Sequence, residues 1–291
     1  MRIKKLLPIF IALLSFIIIS LAYFSPVLEG KELFQSDIAQ FRGMSKEVKE
    51  FREQYHEEPY WTNRAFGGMP TYQLSTYYPH DYIKKLDGLL RFLPRPADYL
   101  FLYFLGFFVL LSVLKIDWKL AIVGALGFGF STYLIIILGV GHNAKAHAIA
   151  YMPLVLSGLL LVFQKKYLQG FVLTSLAMAL EINASHPQMT YYLLFAILIF
   201  GIIYLIRAYQ EKEIPLFAKN VGILLVAVIL AVGVNATSLM ATKEYASEST
   251  RSPSELTINP DGSPREMTSG LSKSYITEYS FGIMETFDLF I

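Results

Sequence analysis

Seven stretches of this chain are apolar over about the length a helix needs to cross a bilayer, and that constrains the fold more than any other feature. A hydrocarbon layer about 30 Å thick takes roughly 20 residues of helix. Only a helix or a closed barrel satisfies backbone polar groups there, away from water. Five stretches are clear: 6–28, 97–114, 120–140, 189–206 and 221–240. A sixth, 146–163, carries Pro153, and the seventh, 168–182, is short and ends beside Glu181, as a tilted or locally broken span would. With 54% of residues hydrophobic and 16% charged, the 291 residues are too apolar for an ordinary soluble domain. The expected fold is all-α, a polytopic transmembrane bundle of about seven spans with a large first external loop, residues 29–96.

Charge matters here by position. Arg2, Lys4 and Lys5 precede the first apolar run, which is longer than a signal-peptide core and lacks a small-x-small cleavage site, so it reads as a retained anchor. Lys115 and Lys119, then Lys165 and Lys166, then Arg207, Lys212 and Lys219 fall in alternate short loops. The opposite short loops hold only Lys145. The positive-inside rule therefore predicts a cytoplasmic amino terminus, with 29–96 and everything after 241 on the other face. The expected division is a membrane module, 1–240, and an external tail, 241–291. The closing run Thr286-Phe287-Asp288-Leu289-Phe290-Ile291 has no polar stop and reads as the start of a longer region.

Several functions are excluded early. The net charge of +2 and the lack of a nucleic-acid motif leave no case for DNA or RNA as a partner. Without cysteine there is no thiolate nucleophile, disulfide or cysteine metal site. The Gly67-Gly68 pair lacks the pattern of a phosphate-binding loop.

The polar residues of interest gather on the predicted external face. Asp37 lies about nine residues beyond the first span and could take a proton from an acceptor hydroxyl at the membrane surface, with Arg42 as a nearby cation. Equally, Ser36-Asp37 could cap an amphipathic helix over 38–55. Arg64 sits in an aromatic segment, Pro59 to Tyr72, suited either to stacking a sugar or to the headgroup region. Gly141-His142-Asn143-Ala144-Lys145-Ala146-His147 crowds two histidines and a lysine at one boundary. Five residues apart, the histidines would lie about 140° apart on a helix, which disfavours a metal pair. They suit a phosphate whose tail lies in the bilayer, or else Lys145 snorkels and the histidines are loop hydrogen-bonders. Ser185 and Gln188 have capping-box spacing, with Pro187 early in the next helix and His186 expected to stay neutral at its start. Glu181 is costly in a span unless paired, with Lys145 or His147 as its expected partner. Asn183-Ala184-Ser185 and Asn235-Ala236-Thr237 match the glycosylation pattern but lie at membrane boundaries. Asp37 and Glu181 could share a divalent cation, though no spacing demands one.

Taken together, Phe34-Gln35-Ser36-Asp37, Trp61-Thr62-Asn63, Phe66-Gly67-Gly68-Met69-Pro70, Gly141-His142-Asn143-Ala144-Lys145 and Leu256-Thr257-Ile258-Asn259-Pro260-Asp261-Gly262-Ser263-Pro264 resemble the YfhO family of bacterial membrane proteins. Members are longer, so the resemblance implies an amino-terminal portion. That family looks like a branch of the GT-C glycosyltransferases, with a seven-helix core and an acidic catalytic residue in the first external loop. The resemblance thus implies a bacterial cytoplasmic (inner) membrane enzyme that moves a sugar from a polyprenyl-phosphate donor to a cell-envelope polymer or glycolipid. Asp37 would be its base. Arg42, Arg64, His142, Asn143, Lys145, His147, Glu181 and His186 would surround donor phosphate or sugar, and membrane lipid the whole. Two other readings stay open: a lipid or polysaccharide transporter, and a noncatalytic or truncated envelope scaffold.

Overall fold

The protein is described by a computed structural model covering residues 2–249, 252, 257–259, 261–264, 271, 273–278, 280 and 282–284, without the side chains of residues 2–5. The terminal run 286–291, and Leu256 and Pro260 of the tail motif, lie outside the described residues. Helix dominates. Two compact units are present, one of residues 1–58 and 77–236, the other of 59–76 and 237–291.

In the first unit the apolar stretches fall largely within helices. These are α1 (Arg2–Tyr23), α5 (Ala97–Val113), α6 (Trp118–Gly129), α7 (Thr132–Val140), α8 (Asn143–Phe163), α9 (Tyr167–Asn183), α10 (Pro187–Gln210) and α11 (Ile214–Val234). Between α1 and α5 the first loop carries α2 (Ser36–Met44), α3 (Lys46–Tyr55) and α4 (Tyr82–Leu90). Among the described residues four helices are long and apolar enough to cross a membrane: α1, α8, α10 and α11. A fifth span is available if α6 and α7, bent by 49° at their junction, count as one. At 17 residues each, α5 and α9 stand at the short limit for crossing a bilayer. The chain is accordingly a helical membrane protein.

Burial separates the centre from the lipid-facing rim. Within its span α8 is 78% buried, whereas α10 is 11% and α11 17% buried. Ile199, Ile202 and Ile229 stand more than half exposed on those rim helices, which suits apolar lipid and not water. Around α8 pack α9 and α5, with Phe16, Leu100, Tyr103, Phe104, Leu138 and Tyr151 filling the core. Small residues permit the closest approach, as expected where lipid supplies no hydrophobic drive between helices. A Cβ on Gly158 of α8 would lie 2.6 Å from the backbone nitrogen of Thr174 on α9.

Three local expectations are corrected. The helix over 38–55 is broken at Ser45, whose hydroxyl donates to the Phe41 carbonyl at 2.7 Å and competes with the helical ladder. Ser36 and Asp37 do not cap it; Gln35 holds the cap position, and Asp37 lies in the first turn, where the helix dipole favours an anion. The stretch 221–240 is interrupted at Asn235, whose amide donates to the carbonyls of Ala231 and Ala179 at 2.9 and 3.0 Å, and α12 (Ala236–Ser247) follows.

The second unit joins part of the first loop to the tail. There β1 (Trp61–Thr62) pairs antiparallel with β2 (Met69–Pro70). Gln73 donates to Thr242 at 3.1 Å, and Tyr72 meets Tyr245 edge-on at 6.4 Å. Ile258 and Pro264 bridge a tight turn in the tail, ahead of the short α13 (Lys273–Thr277).

Gly158→Leu should destabilise the protein by about 1–3 kcal/mol through overpacking at the α8–α9 contact. Thermal unfolding in detergent would read this as a lowered melting temperature, and an unchanged one would contradict the close approach.

Candidate functional site

Gln35 ties the first loop to the bundle. Its amide donates to the Leu138 carbonyl near the end of α7 at 2.6 Å, and its side-chain oxygen accepts from Asn143 at the start of α8 at 3.3 Å. Gly141 makes room for it. That residue has φ +93°, and a Cβ there would stand 2.8 Å from the Cβ of Gln35. Two positions on, half-exposed Asp37 faces His142, carboxylate to Nε2, at 3.5 Å. The Phe34-Gln35-Ser36-Asp37 and Gly141-His142-Asn143 motifs, 100 residues apart in the chain, therefore meet at one end of the bundle.

Cations and unpaired polar atoms surround this contact. Lys145, one turn into α8, lies 6.0 Å from the Tyr133 ring. His186 is the residue preceding α10. Burial holds it below its usual pKa, aided by the neighbouring Lys145 and His142. Both His186 Nδ1 and Asn143 Oδ1 are buried without a hydrogen-bond partner among the described residues. Asp37, His142, Asn143, Lys145 and His186 thus form one neighbourhood, able to bind an anion and hydrogen-bond hydroxyls.

The other predicted residues stand elsewhere. Arg42 does not serve Asp37; it pairs with Glu32 at 2.5 Å on the surface. Arg64 is exposed in the second unit, between β1 and β2. Glu181 is fully buried, and its partner is neither Lys145 nor His147 but the Thr190 hydroxyl, 3.0 Å from both carboxylate oxygens. No capping box forms at Ser185, which adopts φ +57° and donates to the Asn183 carbonyl at 3.3 Å, while Gln188 bonds Tyr192. The two asparagines of the glycosylation-like triplets bond one another at 3.2 Å, and Asn235 is buried. Among the described residues no group of three or more histidine, aspartate and glutamate side chains is placed to hold a metal ion.

His147 belongs to a buried network for which the sequence offered only hints. Asp87 of α4, 2% exposed, hydrogen-bonds His147 Nε2 and accepts from the Tyr151 hydroxyl at 2.7 Å. Arg91, just past α4, reaches Asp87 at 2.9 Å and Asp98 in the first turn of α5 at 3.1 Å. Five groups thereby link α4, α5 and α8 close to His142 and Lys145. Two signals were present in the sequence. Asp87/Arg91 and His147/Tyr151 are both i,i+4 pairs, which share a helix face, and Asp98 is a carboxylate opening an apolar span, costly unless paired. Burial alone would raise the Asp87 pKa, but the His147 hydrogen bond and charge, with Arg91 and Tyr151, outweigh it and hold the group at about 2.

Comparison with known protein families, characterised proteins and solved structures finds no match to this chain.

Two outcomes follow from this geometry. Asp87→Ala leaves Arg91 and His147 without their buried carboxylate and should cost about 3–5 kcal/mol. Because the folded value lies below the ordinary 3.8, the stabilisation is complete above that pH and lost as pH falls towards about 2. The gap between the melting temperatures of wild type and variant should accordingly narrow at acid pH, and a constant difference would refute the pairing. Gly141→Ala should displace Gln35 and speed tryptic cleavage at Arg42, whereas wild-type cleavage rates would refute the tie.

Proposed function

We propose that these residues form the membrane module of a glycosyltransferase that takes a sugar from a polyprenyl-phosphate donor on the outer side of a bacterial cytoplasmic membrane. The observation that carries this reading is the meeting of Asp37 with His142, beside Lys145 and the unpaired polar atoms of Asn143 and His186. A carboxylate and a cationic cluster side by side at the end of an apolar bundle fit the two ends of such a transfer. The likeness of these motifs to the YfhO family adds to it, as does the placement of lysines and arginines in alternate loops.

In this reaction Asp37 takes the proton from the acceptor hydroxyl, and the acceptor oxygen bonds to the anomeric carbon. The bond from that carbon to the phosphate oxygen breaks, and polyprenyl phosphate leaves with the electron pair. Lys145 and His142 meet the charge on the departing phosphate, and Asn143 Oδ1 accepts from a sugar hydroxyl. The prenyl chain runs along lipid-facing helix, in a bundle of about seven spans with a GT-C-like core and a cytoplasmic amino terminus. The acceptor is a cell-envelope polymer or glycolipid.

A second reading, a lipid or polysaccharide transporter, draws on the 49° break between α6 and α7 and on the buried Glu181 carboxylate. Reconstitution of the full-length protein with polyprenyl-phosphate sugars separates the two. Covalent transfer is expected, reduced about 10²–10⁴-fold by Asp37→Asn. Unchanged transfer by that variant would refute the assignment of the base, and movement of lipid across the vesicle without transfer would favour the transporter.

A further inference from the structure

At the other end of α8 lies a cavity of about 210 Å³ that the proposed reaction does not use. It sits where α8 ends at Phe163, α10 ends at Gln210 and α11 begins at Ile214, so it opens at a membrane boundary. Its wall is aromatic. Phe163 stacks on Tyr204 with centroids 3.9 Å apart, and Phe217 stands 6.0 Å from Phe163.

The polar lining is balanced in charge. Arg207 is held by Glu211 at 2.8 Å. Lys165 and Glu213 also line the cavity; Lys165 has no ion-pair partner among the described residues, and Glu213 lies near enough to Arg207 to feel its charge without a close ion pair. Two cations and two carboxylates leave no net charge. Asn220, also lining the cavity, is 3% exposed, and its Oδ1 has no hydrogen-bond partner among the described residues. A buried amide oxygen in that state calls for a donor from outside the chain.

We propose that this cavity binds the phosphoethanolamine headgroup of a membrane phospholipid. The match is one of complementary groups. Lys165 supplies donors and positive charge for the phosphate, while Glu213 and Asn220 Oδ1 supply acceptors for the ammonium, which can only donate. Phosphocholine has the same charges but no N–H, so it would leave Asn220 Oδ1 unpaired. Phosphoglycerol brings a net negative charge into a cavity that holds two carboxylates. The occupant is a lipid because the cavity sits at the ends of membrane helices, where the headgroup region begins.

The test uses the full-length protein, delipidated in detergent, with native mass spectrometry and thermal unfolding after addition of phosphatidylethanolamine, phosphatidylcholine or phosphatidylglycerol. Phosphatidylethanolamine should stay bound and raise the melting temperature more than the other two. That preference should vanish in Lys165→Asn, which tolerates the left-handed backbone at φ +63°, and in Glu213→Gln, and persist in Lys166→Ala. Equal protection by phosphatidylcholine would overturn recognition of the N–H donors, and stronger protection by phosphatidylglycerol would overturn the charge balance. Preference surviving in both cavity variants would overturn the location. An equal effect of soluble phosphoethanolamine would overturn the lipid as its source.

Discussion

The Gln35 side chain joins two segments that the chain keeps 100 residues apart, and the candidate site depends on that join. Its donor meets the Leu138 carbonyl, and its acceptor meets Asn143. Carbonyls near the end of a helix lack partners within it, so one side chain both satisfies α7 and fixes the approach to α8. Gly141 allows the contact because a residue with a Cβ would collide with Gln35 and resist the left-handed turn. Once Gln35 is seated, Asp37 falls in the first turn of α2 and faces His142.

A second set of contacts holds the receiving surface in place. Asp87, Arg91, Asp98, His147 and Tyr151 are joined by hydrogen bonds and ion pairs in a largely buried space. Such a network is high-stakes, since each buried charge is costly without its partner. Its position explains its value to the site: His147, on α8, lies five residues after His142, so fixing that end of the helix also fixes His142, Asn143 and Lys145. The apolar rim of α10 and α11 contributes differently, by leaving Ile199, Ile202 and Ile229 to face lipid.

Much of this was legible in the amino acids. Apolar runs mark the four helices long enough to cross a membrane and the bent α6–α7 pair, because a backbone in hydrocarbon has few other ways to satisfy its polar groups. The grouping of His142, Asn143 and Lys145 with Asp37 followed from placing loops by their lysines and arginines. What escaped was decided by tertiary contact. The Asp87 network was hidden because it lies in a segment that reads only as polar loop, and nothing local says that its carboxylate turns towards α8. Glu181 was expected to seek a cation, whereas the fold offers it the Thr190 hydroxyl across the α9–α10 turn. The apparent capping box at Ser185 failed because that residue sits in a left-handed turn, which leaves His186 as the residue before α10.

The central claim is that the first-loop aspartate lies against the turn before α8 when the protein is in a membrane. The 291 residues contain no cysteine, so Asp37→Cys and His142→Cys can be introduced together and treated in vesicles with a short bifunctional thiol reagent. The structure predicts efficient cross-linking of that pair. Failure to cross-link, while a Glu32→Cys and Arg42→Cys pair within the loop reacts readily, would contradict it.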